Sequence, residues 1–160
     1  MKTEFFSECD YAPCELKSVM RKAIRLALNY KNLKTTDPYE VSIIFVDEAR
    51  IRKINNDFRH IDRATDVISF AFADGVGAEF APYLLGDIFI CTDVVASHAG
   101  KYGTTFDEEM TFMVVHGILH LLGFDHHKKR EREDMRIAEN VIMKQLFPQW
   151  KGRGEEYNVQ

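Results

Sequence analysis

The sequence predicts an α+β domain in which a small mixed β-sheet is packed with helices. Three observations carry this. Short β-branched apolar runs alternate with helical patterns between residues 41 and 103, two helical patterns follow one another near the end, and turn or capping residues mark the junctions. At 160 residues the chain suits one domain, because folding at this length buries roughly 70% of the extended chain's surface. Residues 1–149 are expected to form that domain. Residues 150–160, with Gly152 and Gly154, are expected to form a loose, flexible tail.

The elements follow in order. Residues 2–7 read as a short edge strand. Pro13 opens a helical pattern in which Leu16, Met20, Ala23, Ile24 and Ala27 recur at helical spacing, ending near Asn29. Residues 35–38 read as a loop, and 41–46 (VSIIFV) as a strand buried on both faces. Asp47 caps a helix with Ile51, Ile54 and Phe58 on one side and Arg50, Arg52 and Lys53 on the other. Residues 66–72 (DVISFAF) form the next strand, a loop with Gly75, Gly77 and Pro82 follows, and 85–91 form another strand. Thr92 caps a short helix ending near Gly103. Thr105 with Glu108 makes a capping box for a helix running to Leu122, and Gly123 stops it. A last helix covers residues 128–146, with Met135, Ala138, Ile142 and Leu146 as its apolar stripe, and Pro148 ends it.

Composition excludes several classes. Lys plus Arg is 21 against 25 for Asp plus Glu, a net charge of −4, which disfavours a protein that coats duplex nucleic acid. No apolar run is long enough to cross a bilayer, so no membrane partner is expected. Cys9, Cys14 and Cys91 are odd in number and form no CxxC pair. With Glu4, Glu8 and Asp10 where a signal peptide would be apolar, a cytoplasmic location is the expectation.

Residues 116–126 read HGILHLLGFDH. His116 and His120, four apart on a helix, share one face and can bind one cation. Gly123 lets the chain reverse, so that His126 returns a third nitrogen. Three neutral imidazoles leave a coordination position open, the catalytic arrangement for zinc. His127 is a rival third ligand, more naturally a solvated residue at a helix start. His126 is preferred because its spacing equals that of the metzincin signature H-E-x-x-H-x-x-G-x-x-H. In that signature a glutamate beside the first histidine is the general base. Here the position is Gly117, so peptide hydrolysis is the weaker reading. Asp87 and Asp125 are candidates for ligand support or proton transfer, with a helix N-cap as the equal alternative for Asp125.

A second polar constellation lies in residues 55–70, NNDFRHIDRATDVISF. Arg59 continues a helix face bearing Arg50, Arg52 and Lys53, and a guanidinium holds a phosphate with two parallel hydrogen bonds. Phosphoryl transfer needs such a donor near the metal. Arg59 is therefore the catalytic candidate, and Arg50, Lys53 and Arg63 are candidates for substrate binding. Lys128, Lys129, Arg130 and Arg132, mixed with acids, read as the solvated face of the last helix.

HGILHLLGFDH, with FRHIDRATDVISF before it and LLGDIFI between, resembles the YbeY family of metal-dependent endoribonucleases, or rRNA maturation factors, over about residues 54–140. The resemblance implies a single-strand-specific endoribonuclease that processes ribosomal RNA, notably at the small-subunit rRNA 3′ end, and serves ribosome quality control. It implies one Zn2+ per chain on His116, His120 and His126 in a zincin-like site, and an essential arginine at Arg59. Single-stranded RNA and the small ribosomal subunit or its assembly factors are the implied partners. Two positions depart from the family's usual pattern, Ala71 for proline and Phe124 for tyrosine. Neither is an expected ligand. The rival readings are a zinc metallopeptidase or amidase, and a non-catalytic assembly factor with a structural metal.

Overall fold

The structure, a computed structural model, describes residues 1–152. Four strands, β1 (Lys2–Ser7), β2 (Glu40–Val46), β3 (Val67–Ala71) and β4 (Leu84–Cys91), form one sheet in the order β1-β2-β4-β3. β1, β2 and β4 run parallel, and β3 is antiparallel to β4. The sheet is therefore mixed, as expected. Five helices surround it: α1 (Lys17–Tyr30), α2 (Glu48–Arg59), α3 (Thr92–Tyr102), α4 (Phe106–Leu121) and α5 (Lys129–Leu146).

β2 explains the layering. Its side chains alternate, and from residue 43 to 46 both sets are apolar. Val41, Ile43 and Phe45 join the main core with α1, α4 and α5 residues. Ile44 and Val46 join a smaller core with Ile51 and Ile54 of α2 and Ile68 of β3. Each such side chain contributes about 1.5–3 kcal/mol when fully buried. The sheet therefore carries helices on both faces, with α2 on the face opposite α4.

α4 is the central helix. Thr105 caps it by accepting the Glu108 N–H at 3.1 Å. It is buried nearly all round rather than along one stripe, as befits a helix covered by neighbours on every side. α5 lies over it with Met135, Ala138, Ile142 and Met143 inward.

Some expectations need correction. Thr92 does not cap α3: it is the first helical residue, Cys91 is the N-cap, and no side chain caps that end. Pro13 opens a turn rather than the helix, its carbonyl accepting the Lys17 N–H at 3.0 Å before α1 begins. The loop between β3 and β4 contains two short 3₁₀ turns, Phe72–Asp74 and Ala78–Phe80. Trp150, placed in the loose tail, is only 3% exposed. Its ring stacks on Phe112 at 5.5 Å, and its indole N–H donates to Asn140 Oδ1 at 3.1 Å. Most of the expected tail, residues 153–160, lies outside the described residues. Cys9, Cys14 and Cys91 are free thiols. Among the described residues no helix is long and apolar enough to cross a membrane.

Candidate metal centre

The helical repeat places His116 and His120 one turn apart on one face of α4. The helix ends where the Gly123 N–H bonds the His120 carbonyl and the Phe124 N–H bonds the Leu119 carbonyl, each at 3.0 Å. Gly123 sits at φ 93°, a conformation that favours glycine, and the chain reverses there. His126 returns to the other two. The ligand atoms of His116, His120 and His126 lie within 4.8 Å of one another.

Hydrogen bonding sets the tautomers. His120 Nδ1 is 3.0 Å from the Phe124 carbonyl oxygen, which can only accept, so Nδ1 carries the proton. His116 Nδ1 is 2.6 Å from Glu139 Oε1 and donates to that carboxylate. Both Nε2 atoms are then unprotonated, yet they face each other at 3.0 Å. His126 Nδ1 stands 3.1 Å from the same His120 Nε2. Converging lone pairs repel unless a cation sits among them. Tetrahedral zinc with bonds of about 2.0–2.1 Å would set its ligand nitrogens about 3.3 Å apart, close to these spacings.

The electrostatics agree. Burial, reinforced by His116 and His126, pushes the His120 pKa down to about 3. Burial likewise lowers that of His126, with His116, His127 and Arg59 adding to the effect. Both imidazoles are held neutral, the form that binds metal.

Glu139 was missed in the sequence. It is a nearly buried carboxylate at 9% exposure, beside Ala138 on the inner side of α5. An acid on the apolar stripe of the last helix was the available signal. By orienting His116 it would serve a bound metal indirectly. Glu139→Gln is expected to weaken divalent-metal affinity by about 10- to 100-fold, the usual scale for such a partner. Competition against a chromophoric chelator measures this. An unchanged affinity would assign Glu139 to packing alone.

The missing peptidase base has a packing cause. A Cβ on Gly117 would stand 2.7 Å from Ile88 Cγ2, 3.0 Å from Ile88 Cδ1 and 3.1 Å from Ser69 Oγ. α4 rests directly on β4 and β3 at this point, leaving no room for a glutamate. Gly117→Ala is expected to lower Tm, because overpacking costs about 1–3 kcal/mol against a gain of about 1 kcal/mol from replacing glycine within a helix. A thermal melt at or above the wild-type Tm would show that Ile88 yields freely.

The histidines open into a cleft of about 810 Å³, also lined by Arg59, Arg63, Ser69, Asp74 and Phe124. Arg59 is the last residue of α2, and His60 follows in the left-handed region at φ 58°. Burial lowers the Arg59 pKa, with the Asp66 carboxylate acting in the opposite sense. Asp62, three residues on, is taken by Arg52 at 2.7 and 3.0 Å. Asp125 also lines the cleft. It does not cap α5, whose N-cap is Lys128, but accepts the His126 N–H at 2.6 Å. His127 is solvated, with a side chain 79% exposed and 3.3 Å from Asp125.

Three candidates do not reach this cleft. Arg50 pairs with Glu8 at 3.0 Å, and Lys53 with Asp57 at 2.8 Å. Asp87 lies with Arg50, Phe6 and Phe89 in a separate depression. Strand alternation explains it: Ile88 meets α4, so Asp87 points through the other face of the sheet.

The family model described as endoribonuclease YbeY matches residues 6–147. An endoribonuclease YbeY of Bacillus cereus is 40% identical over 139 residues, covering 82% of this chain and 87% of that protein. One from Desulfitobacterium hafniense is 38% identical over 136 residues, covering 82% and 83%. The solution structure of a Thermotoga maritima protein superposes with a TM-score of 0.63 at 25% identity, covering 94% of this chain and 92% of that one. With a matching model across most of its length and relatives near 40% identity, this chain belongs to the endoribonuclease YbeY family.

Proposed function

We propose that the protein is a zinc-dependent, single-strand-specific endoribonuclease that processes ribosomal RNA, at the small-subunit rRNA 3′ end, and serves ribosome quality control in the cytoplasm. One observation carries the reading. Two unprotonated imidazole nitrogens 3.0 Å apart share a cleft with Arg59, while glycine stands where a peptidase would hold its base. Family membership supplies the substrate class, since the matched relatives are named endoribonucleases.

Zinc, when bound, supplies a Lewis acid that polarises a phosphate oxygen and makes a water more acidic. The chain's own residues do the rest. His116, His120 and His126 present ring nitrogens to one point, and Glu139 and the Phe124 carbonyl hold two of the rings in place. Arg59 grips the scissile phosphate and meets the charge that develops on its oxygens. Arg63 adds a cation to the wall, and Asp125, at the rim beside His126, is placed to move a proton. A net charge of −4 is compatible with an RNA substrate where a few cations face it, as Arg59 and Arg63 do from the cleft wall that Asp74 and Asp125 also line. The small ribosomal subunit or its assembly factors would present the RNA.

The test uses pure protein, single-stranded RNA and the same sequence as a duplex, with and without chelator. Cleavage of the single strand that is lost on chelation is the expected result, because an A-form duplex hides its bases and holds its phosphates rigidly. Casein should stay intact. Casein cleavage that disappears in His116→Ala would replace this reading with a peptidase. A protein that retains its metal and cuts neither RNA nor casein would leave a structural metal.

A further inference from the structure

The C-terminal end of α1 reaches Phe124, a residue that lines the cleft, which nothing in the order of the sequence indicates. Lys31 Nζ lies 5.0 Å from the centre of the Phe124 ring, and the Tyr30 ring stands 6.2 Å from that same ring. Phe124 lines the cleft, and its carbonyl orients His120. Lys31 is exposed, and among the described residues no carboxylate forms an ion pair with it. Its backbone N–H closes α1 by bonding the Ala27 and Leu28 carbonyls, which leaves the side chain without a capping task. A cation is thus held against the ring of a cleft-lining residue whose backbone touches the candidate metal site. It arrives from the helices on the α4 face of the sheet, whereas Arg59 arrives from α2 on the other face.

We infer that Lys31, braced on Phe124, forms a subsite for a phosphate of the RNA strand next to the scissile one. The inference rests on the proposed endoribonuclease reading. Arg59 and the metal ligands act on the linkage that breaks, and one strand lying in the cleft carries a further phosphate past the rim. A lysine there offers a mobile point charge. That suits a backbone contact that positions the strand without reading its sequence. Lys31 is a binding residue here, so its loss should appear in KM rather than in kcat.

The experiment compares metal-loaded wild type with Lys31→Gln and Lys31→Arg on a short single-stranded RNA over a series of salt concentrations. Lys31→Gln is expected to raise KM about tenfold, the scale of one charge-assisted hydrogen bond. Its kcat, metal content and Tm should stay at the wild-type level. The slope of log KM against log salt should fall by about 0.7, the share of one phosphate contact on a single strand. Lys31→Arg should restore both quantities. A KM for Lys31→Gln within twofold of wild type, with an unchanged salt slope, overturns the subsite. So does a fall in kcat or metal content matching the rise in KM, which would make Lys31 a prop for the Phe124 loop. Wild-type protein that cuts no RNA overturns the endoribonuclease reading and the subsite with it, whereas a failure confined to the variants overturns the subsite alone.

Discussion

His120→Ala is expected to strip the protein of its metal and abolish chelator-sensitive RNA cleavage. His120 is the middle ligand, with Nε2 3.0 Å from His116 Nε2 and 3.1 Å from His126 Nδ1. Its removal leaves two imidazoles that no third nitrogen joins. It also frees the Phe124 carbonyl, which His120 Nδ1 holds at 3.0 Å, so the loop that returns His126 loses an anchor. Loss of one such ligand should lower affinity by several powers of ten, because three protein nitrogens are what a catalytic zinc site ordinarily keeps. Element analysis after dialysis of the pure protein provides the measurement, with wild type carrying about one divalent ion per chain. His127→Ala is the control. Its imidazole is solvated and paired with Asp125, and its removal should leave metal content unchanged. Equal metal in His120→Ala and wild type would mean that the site lies elsewhere. Equal loss in His127→Ala would make it a ligand.

Arg59→Ala should keep both fold and metal while losing about two to three powers of ten in cleavage, the scale of removing one transition-state donor. The guanidinium lines the same cleft as the three histidines, and its charge is felt at His126. Its helix holds without it. α2 is anchored by Ile51 and Ile54, and its first turn is capped by Asp47, which accepts the Arg50 N–H at 2.8 Å. Arg59→Lys should recover only part of the rate, since lysine keeps the charge but not the paired donors. Circular dichroism and metal analysis beside the kinetics separate the outcomes. A rate within a few-fold of wild type would reduce Arg59 to a surface cation, for which alanine costs little. Metal lost along with activity would make it a structural support.

Two kinds of information were unequally legible in the sequence. Local patterns could be read. The capping pair Thr105 and Glu108, the β-branched run in β2 and the histidine spacing each depend on residues a few positions apart, and the elements they imply are present. Which cations share a cleft could not be read in the same way. Arg50, Lys53 and Arg59 lie on one short helix, and all three were candidates for the site. A helix distributes its side chains around its axis, and only its end reaches the cleft: Arg50 turns to Glu8, Lys53 to Asp57, and Arg59 lines the cleft with the histidines. Asp87 failed for the strand version of the same reason. One residue of displacement along β4 exchanges the α4 face for the α2 face.

The sequence by itself determined the metal-binding motif. His116 and His120 meet because an α-helix repeats every 3.6 residues, and His126 joins them because Gly123 accepts a backbone conformation that other residues resist. Both are consequences of short-range geometry, independent of what surrounds the segment. Tertiary structure alone decided the rest of the site. It brought Glu139 of α5 to His116, Lys31 of α1 to Phe124 and Arg59 of α2 to the open side of the histidines. It also made Gly117 a necessity of packing against Ile88 as well as an absence of chemistry. The physical reason is that apolar periodicity states which face of an element must be buried. It does not state which other element will bury it, and that choice is made by the whole core closing at once.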